Sequence, residues 1–295
     1  MKGSKKFPNK DSEKTRHAVS EDYAKAVKSH GSGCCGGPVP KGVVARIAGY
    51  TNDDFATLPI EAVVNSFGCG NPLAFSEVQP GQVVLDLGSG AGIDLLLAGK
   101  KVGATGKVIG VDMTDEMIAK AEENIAAAGL TNVEVRKGII EELPVDDASV
   151  DWVISNCVIN LSPEKHRVFA EIARVLKPGG TMLVSDIVAE ELPAEITENR
   201  HLYSSCLAGA ISEDAYVSGL REAGLTEVEV VDRLVYDEAQ LEMFIGSELQ
   251  DEGDSCCCGT KAIAPSLARR WAERLAGKVA SIKVRAKAKA SVTND

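Results

Sequence analysis

Gln82-Val83-Val84-Leu85-Asp86-Leu87-Gly88-Ser89-Gly90-Ala91-Gly92 decides the fold. A β-branched and aliphatic run, Gln82 to Leu87, stands between glycines and reads as a strand buried on both faces. Ile93 to Lys101 follows at helical spacing, and Gly106 to Val111 is a second strand. Outward from there the alternation continues. Thr114 to Ala128 opens with an N-cap threonine and the acidic first-turn residues Asp115 and Glu116, and stops before Gly129. Val133 to Arg136 and Val150 to Ser155 read as strands, Pro163 to Leu176 as a helix, and Thr181 to Asp186 as a strand after the Lys177-Pro178-Gly179-Gly180 turn. Ser212 caps a helix over Glu213 to Ala223, and Glu227 to Leu234 is a last strand. Strands separated by helices of this length imply βαβ units. The fold class is α/β: a doubly wound, mostly parallel, Rossmann-like sheet with helices on both faces, an N-terminal helical segment and a C-terminal helical extension.

The turn after the first strand is where such a sheet presents its ligand crevice. Gly88, Gly90 and Gly92 let backbone pass close to a small molecule, with Ser89 between them. Ile93 stands where the third glycine of the dinucleotide fingerprint belongs, so a pyrophosphate grip on NAD is disfavoured. Asp112, ending the second strand, is placed to accept hydrogen bonds from ribose hydroxyls. Asp86 suits the ammonium of an amino-acid moiety. A flavodoxin-like turn with incidental glycines is the competing reading.

Together with Gly138-Ile139-Ile140-Glu141 after the third strand and Leu176-Lys177-Pro178-Gly179-Gly180 before the fifth, the pattern resembles class I S-adenosylmethionine-dependent methyltransferases over roughly residues 70–235. The resemblance implies that Asp86 and the glycine loop hold the methionine part. It implies that Asp112 and Met113 flank ribose and adenine, that Ile139, Ile140 or Glu141 lines the adenine pocket, and that Asn156 belongs to the same site.

Eight cysteines stand at 34, 35, 69, 157, 206, 256, 257 and 258, with no C-x-x-C pair. Structural zinc is therefore disfavoured. Cys69 sits in a glycine-flanked loop, Cys157 follows the fourth strand, and Cys206 lies in the irregular stretch after the fifth. The last two are on the crevice side of the sheet. Each alone could be a small buried apolar residue; three converging on one rim make a soft thiolate site that selects thiophilic centres. The Cys34-Cys35 pair, Phe67-Gly68-Cys69-Gly70-Asn71-Pro72, Asn156-Cys157-Val158-Ile159-Asn160-Leu161, and Cys206 before Ala208-Gly209-Ala210 resemble the arsenite S-adenosylmethionine methyltransferases. That resemblance implies Cys69, Cys157 and Cys206 as As(III) ligands. It also implies a disulfide relay between Cys69 and an N-terminal cysteine, with the choice between Cys34 and Cys35 open. The implied partners are arsenite or its thiol conjugates, with thioredoxin or glutathione as reductant. A quinone-biosynthesis-type C-methyltransferase and a non-catalytic As(III)-sequestering thiol protein are the alternatives.

The chain of 295 residues carries a net charge of -11, unevenly distributed. Residues 1–33 sum to +4, residues 261–295 to +7, and the body between them to -22. So acidic a body repels phosphate backbones, which excludes nucleic acid as a partner. No apolar run approaches the ~20 residues of a membrane span, and no apolar stretch follows the N-terminal lysines as in a secretory signal. The expectation is a cytoplasmic monomer with reduced thiols. The expected partition is a mobile basic arm (1–33), a cysteine loop with short helices (34–70), the methyltransferase domain (71–235) with an arsenic-site insertion near 187–211, and a C-terminal extension (236–295). In that extension Ile263, Leu267, Trp271, Leu275, Val279 and Ile282 read as one basic amphipathic helix docked on the acidic body.

Overall fold

The computed structural model describes residues 10–28, 77–249 and 265–290. Seven strands form one sheet: β1 (Val83–Leu87), β2 (Lys107–Asp112), β3 (Val133–Lys137), β4 (Val150–Asn156), β5 (Leu176–Ala189), β6 (Thr226–Val235) and β7 (Val279–Lys287). Their spatial order is β3-β2-β1-β4-β5-β7-β6. The pairings among β1 to β5 are parallel, while β7 runs antiparallel to both β5 and β6. The mostly parallel, doubly wound sheet is as expected.

The helices are α1 (Lys10–Lys28), α2 (Ile93–Val102), α3 (Asp115–Ala127), α4 (Lys165–Val175), α5 (Ala194–Thr197), α6 (Arg200–Ser204), α7 (Glu213–Glu222), α8 (Glu238–Leu249) and α9 (Pro265–Leu275). The central strands are buried on both faces and feed two cores. On one face Leu85 and Leu87 pack with Val168, Phe169 and Ile172 of α4 and Tyr216 and Leu220 of α7. On the other, Val84 and Val108 pack with Leu95, Leu96 and Val102 of α2 and Ile125 of α3. A third cluster joins Val19 of α1, Cys157, Leu202, Cys206, Leu241 and Ile245 of α8, and Trp271 and Leu275 of α9. That cluster carries the two described cysteines.

Two expectations are corrected. Within the segment read as a mobile arm, residues 10–28 form α1, which packs on α3 and α6. The stretch looked too polar for a core helix because its inner face is Ser12, Arg16 and Val19, all buried, with Tyr23 half-buried. Two of those residues are polar, so the face docks through hydrogen bonds as much as through apolar area. The stripe from Ile263 to Ile282 is not one helix: α9 ends at Leu275, the chain turns, and β7 begins at Val279. Val279 and Ile282 keep helical spacing by coincidence; Ile282, Val284 and Ala286 instead alternate with Lys283, Arg285 and Lys287 along a strand. The sheet therefore does not close at residue 235, because β7 inserts between β5 and β6. The stretch 43–67, read as short helices, lies outside the described residues, as do Cys34, Cys35, Cys69 and Cys256 to Cys258.

Smaller boundaries moved for local reasons. The Lys177-Gly180 turn falls inside β5 as a register shift, with Leu176 opposite Val150 and Thr181 opposite Trp152. Ser212 caps α7 as expected, accepting from the amide of Ala215 at 3.2 Å. No helix among the described residues is long and apolar enough to cross a membrane.

Candidate active site

A cleft of about 980 Å³, its open mouth included, runs along the carboxyl ends of the parallel strands. The sheet order lays its wall out in stations. Gly138, Ile139, Ile140 and Glu141 follow β3; Asp112, Met113 and Thr114 follow β2; Gly88, Ser89 and Gly90 follow β1; Asn156, Cys157 and Val158 follow β4. Of the sequence-derived cofactor residues, Asp86, Gly88, Ser89, Gly90, Asp112, Met113, Ile139, Ile140, Glu141 and Asn156 line this cleft. Gly92 does not; it is the N-cap of α2 and turns the chain into that helix. Gly88 has φ +62, and a Cβ there would land inside the Val158 side chain, so the loop meets the β4 loop only through glycine.

The cleft floor is acidic. Asp112 Oδ2 accepts from the Gly90 amide and Oδ1 from the Thr114 amide, both at 2.9 Å. Burial pushes its carboxyl above the ordinary range, and those amides oppose the shift. Asp86 is buried and its carboxyl stands well above the ordinary range, first through burial, then through the charges of Asp94 and Asp112. Three carboxylates around one glycine loop favour a cation. Asp94, in the first turn of α2, escaped the sequence reading because nothing local distinguishes it from a solvent-facing first-turn acid. Ser89 Oγ is buried without a hydrogen-bond partner and is available to a ligand.

α1 also contributes to the cleft, which Arg16, Val19 and Tyr23 line. Arg16 Nη1 donates to Glu141 Oε1 and to Glu164 Oε2, both at 3.1 Å. Ser162 Oγ also donates to Glu141 Oε1, at 2.6 Å. Nearby, Ser20 Oγ and Thr114 Oγ1 are 3.1 Å apart. Farther along the helix, Ser204 Oγ donates to Asp22 Oδ2 at 2.9 Å and Tyr23 OH to the Ser204 carbonyl at 3.2 Å.

At the β4 end the structure brings two of the candidate cysteines together. Cys157 lines the cleft, Cys206 lies behind it, and each is 3% exposed. Cys206 Sγ donates to the Cys157 carbonyl. Both residues are left-handed, with φ 59 and φ 69, a conformation costly for side chains larger than glycine and concentrated at functional sites. Cys157 is disulfide-bonded, while Cys206 is in no disulfide. The expectation of reduced thiols thus fails for Cys157. Asn160 stitches the two loops: its Nδ2 donates to the Ile187 carbonyl at 2.6 Å, and its own carbonyl meets Gly209 so closely that no Cβ fits between them.

Residues 79–224 match a methyltransferase-domain family. The sheet has the Rossmann-like fold of class I methyltransferase domains. It is 44% identical over 236 residues to an arsenite methyltransferase of Halobacterium salinarum, covering 75% of this chain and 60% of that protein. It is 40% identical over 180 residues to an arsenite methyltransferase of Aquipseudomonas alcaligenes, covering 58% of this chain and 51% of that one. The chain thus spans little more than half the length of these relatives. An arsenic(III) S-adenosylmethionine methyltransferase from Chlamydomonas reinhardtii superposes with a TM-score of 0.60 at 29% identity, covering 88% of this chain and 76% of that one.

The chain also buries a group of titratable residues that sequence reading missed. Asp186 of β5 is fully buried; it accepts from Tyr216 OH at 2.9 Å, and burial pushes it up to about 7. Lys165, at the start of α4, donates to the carbonyls of Ser162 at 3.0 Å and Asn160 at 3.2 Å, and burial lowers it to about 8. Tyr203 is raised to about 12, by burial first and then by the charges of Glu141 and Cys206. These residues are far apart in sequence and share no motif, so only the fold reveals the group. Among the described residues no set of three or more His, Cys, Asp and Glu side chains is arranged to hold a metal ion.

Proposed function

We propose that the chain methylates trivalent arsenic with S-adenosylmethionine as methyl donor. The carrying observation is the meeting of Cys157 and Cys206, both left-handed, at the β4 end of a methyltransferase cleft. The arsenite methyltransferases among its relatives support the same reading.

The donor fits the residues present. Asp86 and the Gly88-Ser89-Gly90 turn would hold the amino-acid end, Asp112 the ribose hydroxyls, and Met113, Ile139, Ile140 and Glu141 the adenine, with Asn156 beside them. When bound, S-adenosylmethionine supplies a sulfonium methyl group that needs no further activation. The chain's own task is then placement, where fixed geometry can supply ~7–11 kcal/mol of the barrier. Cys157 and Cys206, with Cys69 as third ligand, exchange their thiols for the hydroxyls of arsenite, releasing water and leaving the arsenic lone pair as nucleophile. Soft thiolates suit this thiophilic centre. Transfer of a methyl cation to arsenic raises it from the trivalent to the pentavalent state. A cysteine pair returns the two electrons by closing an S–S bond, with Cys34 or Cys35 and Cys69 as the proposed relay. An external dithiol such as thioredoxin, or glutathione, reopens that bond. Because Cys157 is disulfide-bonded, a thiol reductant would have to free it before it could take arsenic.

The test mixes the protein with arsenite, methyl-labelled S-adenosylmethionine and a thiol reductant, and separates arsenic species by chromatography. Labelled methylarsenicals that require reductant are expected. Tight S-adenosylhomocysteine binding with no methylated arsenic would reject arsenic as the acceptor. The quinone C-methyltransferase reading has support in a 34% match over 117 residues to a demethylmenaquinone methyltransferase of Shouchella clausii, but it leaves the paired cysteine loops without a role.

A further inference from the structure

We infer that Lys165 is a positioning residue for arsenic capture: its ammonium fixes the Asn160 carbonyl, the point on which the Cys206 loop rests, and so sets where Cys206 stands against Cys157. The inference deepens the arsenic reading of this site and rests on it.

A lysine is an unfavourable choice where it stands. Lys165 opens α4, and the dipole at a helix N-terminus favours an acid over a cation. Its side chain turns back over the segment that precedes the helix, where Nζ donates to the carbonyls of Asn160 at 3.2 Å and Ser162 at 3.0 Å. The carbonyl between them, that of Leu161, accepts from Tyr203 OH at 3.4 Å. These oxygens lie at the end of the 3-10 turn Ile159–Leu161, which begins two residues after Cys157. Carbonyls at a helix end lack partners within the helix, and here side chains from α4 and α6 supply them.

Two contacts join this segment to the Cys206 loop. Cys206 Sγ meets the Cys157 carbonyl, and the Asn160 carbonyl lies against Gly209 with no room for a Cβ between them. Lys165 holds the second contact. Asn160 is also tied through Nδ2 to the Ile187 carbonyl at 2.6 Å. The ammonium thus completes the fixing of a residue three positions from Cys157 against one three positions from Cys206. Burial weighs against its charge, while the charges of Asp186, Cys206 and Glu141 favour it. Drawing an ammonium out of water costs free energy, and the cysteine-bearing segment is what gains from it.

The experiment compares wild type with Lys165→Met, which keeps the length and removes donors and charge, with Lys165→Arg, which keeps both, and with Tyr203→Phe. An open groove lined by Lys165, His166, Phe169, Tyr203 and Gly209 leaves room for the larger guanidinium. Arsenite methylation with a thiol reductant gives kcat and the arsenite KM. Calorimetry gives the S-adenosylhomocysteine dissociation constant, and its stoichiometry counts folded sites. Per folded site, Lys165→Met is expected to lose about 10- to 100-fold in kcat/KM for arsenite, the range for a displacement of up to about 1 Å in a reacting constellation. Its dissociation constant for S-adenosylhomocysteine should stay within about threefold of wild type. Tyr203→Phe, which loses a longer bond, should fall by about two- to threefold. Lys165→Arg should recover at least about a third of the wild-type kcat/KM. A merely structural lysine would lower the number of folded sites and leave kcat/KM per site unchanged. If Lys165→Met does not fold, Lys165→Gln, which keeps a donor but shortens its reach, decides by the same ratio. Wild-type kcat/KM per site in the Met or Gln variant, an equal loss of donor affinity, or a Lys165→Arg protein no better than Lys165→Met overturns the inference. Absence of methylated arsenic from wild type would instead overturn the arsenic reading beneath it.

Discussion

On the proposed function, substituting Gly209 by alanine should disable methyl transfer to arsenic while sparing the donor site. A Cβ at residue 209 would lie 3.1 Å from the Asn160 carbonyl carbon, closer still to its oxygen, and 3.4 Å from Tyr203 Cε2. The obstacle is backbone, so no side-chain rotation relieves it. Nor can Asn160 retreat freely, since its Nδ2 is bonded to the Ile187 carbonyl at 2.6 Å and its own carbonyl accepts from Lys165 Nζ at 3.2 Å. Ordinary contact requires the two segments to part by about 1 Å. Such overpacking costs roughly 1–3 kcal/mol of stability, which a domain of this size can survive. Gly209 and Asn160 each stand three residues from a candidate ligand, Cys206 and Cys157, so the parting is felt where the thiolates must meet. A displacement of about 1 Å in a reacting constellation is worth on the order of 100-fold in rate. The assay is arsenite methylation at saturating donor, with S-adenosylhomocysteine affinity measured in parallel. Affinity should stay within about twofold, because Asp86 and Asp112 lie elsewhere in the cleft. Gly246→Ala is the control: it sits in α8 with nothing within 4 Å of the added methyl, and should gain up to about 1 kcal/mol of stability. A Gly209→Ala protein methylating arsenite at more than a third of the wild-type rate would refute the stated coupling between the two loops.

Cys157→Ser and Cys206→Ser should each abolish arsenite methylation and leave S-adenosylhomocysteine binding intact; methylarsenical yield beside calorimetry checks both, and full activity in either removes that residue from the ligand set. Gly88→Ala should lower donor affinity and cost about 2–5 kcal/mol of stability, combining left-handed strain with the Val158 overlap; denaturant melts that match wild type would count against the reading of that turn. Asp186, pushed up to about 7 by burial, holds a proton in the folded state that the unfolded chain releases near pH 4. Its stabilising contribution is therefore complete below about pH 4 and lost as pH rises through about 7, on the order of 4 kcal/mol at most. Asp186→Asn should flatten that part of the profile, gaining on wild type between pH 5 and pH 8 in urea melts, and parallel profiles would show that Asp186 titrates normally.

The sheet was legible because β1 to β6 and the helices α2, α3, α4 and α7 carry their own signals, a β-branched run, a capping residue or a glycine stop, whereas α5 and α6 lie in the stretch read as irregular. The cleft was legible for the related reason that the residues lining it sit at strand ends, where the chain order itself fixes the neighbours. Partners distant in sequence were not legible. Arg16 and Glu141 are 125 residues apart, and a lone arginine in a polar N-terminal stretch gives no hint of a carboxylate waiting for it. Asp186 and Tyr216 are hidden in the same way. β7 was missed because its strand alternation and the preceding helical stripe share apolar positions, and period alone could not divide them. The cysteines were the opposite case, chemically conspicuous in sequence. What the fold adds for Cys157 and Cys206 is that they meet, and that both adopt a backbone conformation their side chains resist.

The charge distribution acquires a structural meaning from these pieces. Read as tails lying against an acidic body, the basic ends would contribute little, since exposed ion pairs are worth about 0–1 kcal/mol and weaken with salt. Lys287 to Glu227 is a pair of that exposed kind, and Lys283 to Asp232 is half-exposed. β7 does not depend on them, because two ladders of backbone hydrogen bonds hold it between β5 and β6. Arg16 differs. With Glu141 it forms a pair whose side chains are 10% and 2% exposed, and removing one member of a buried pair costs about 3–5 kcal/mol. Salt that screens the surface pairs scarcely reaches it. The acidic body is thus completed at two places by chain from its basic ends. β7 fills the gap in the sheet by hydrogen bonding, and α1 closes a wall of the cleft by burying one cation against the carboxylates there. The first of these joins β6 to the rest of the sheet; the second links the N-terminal helix directly to the cleft.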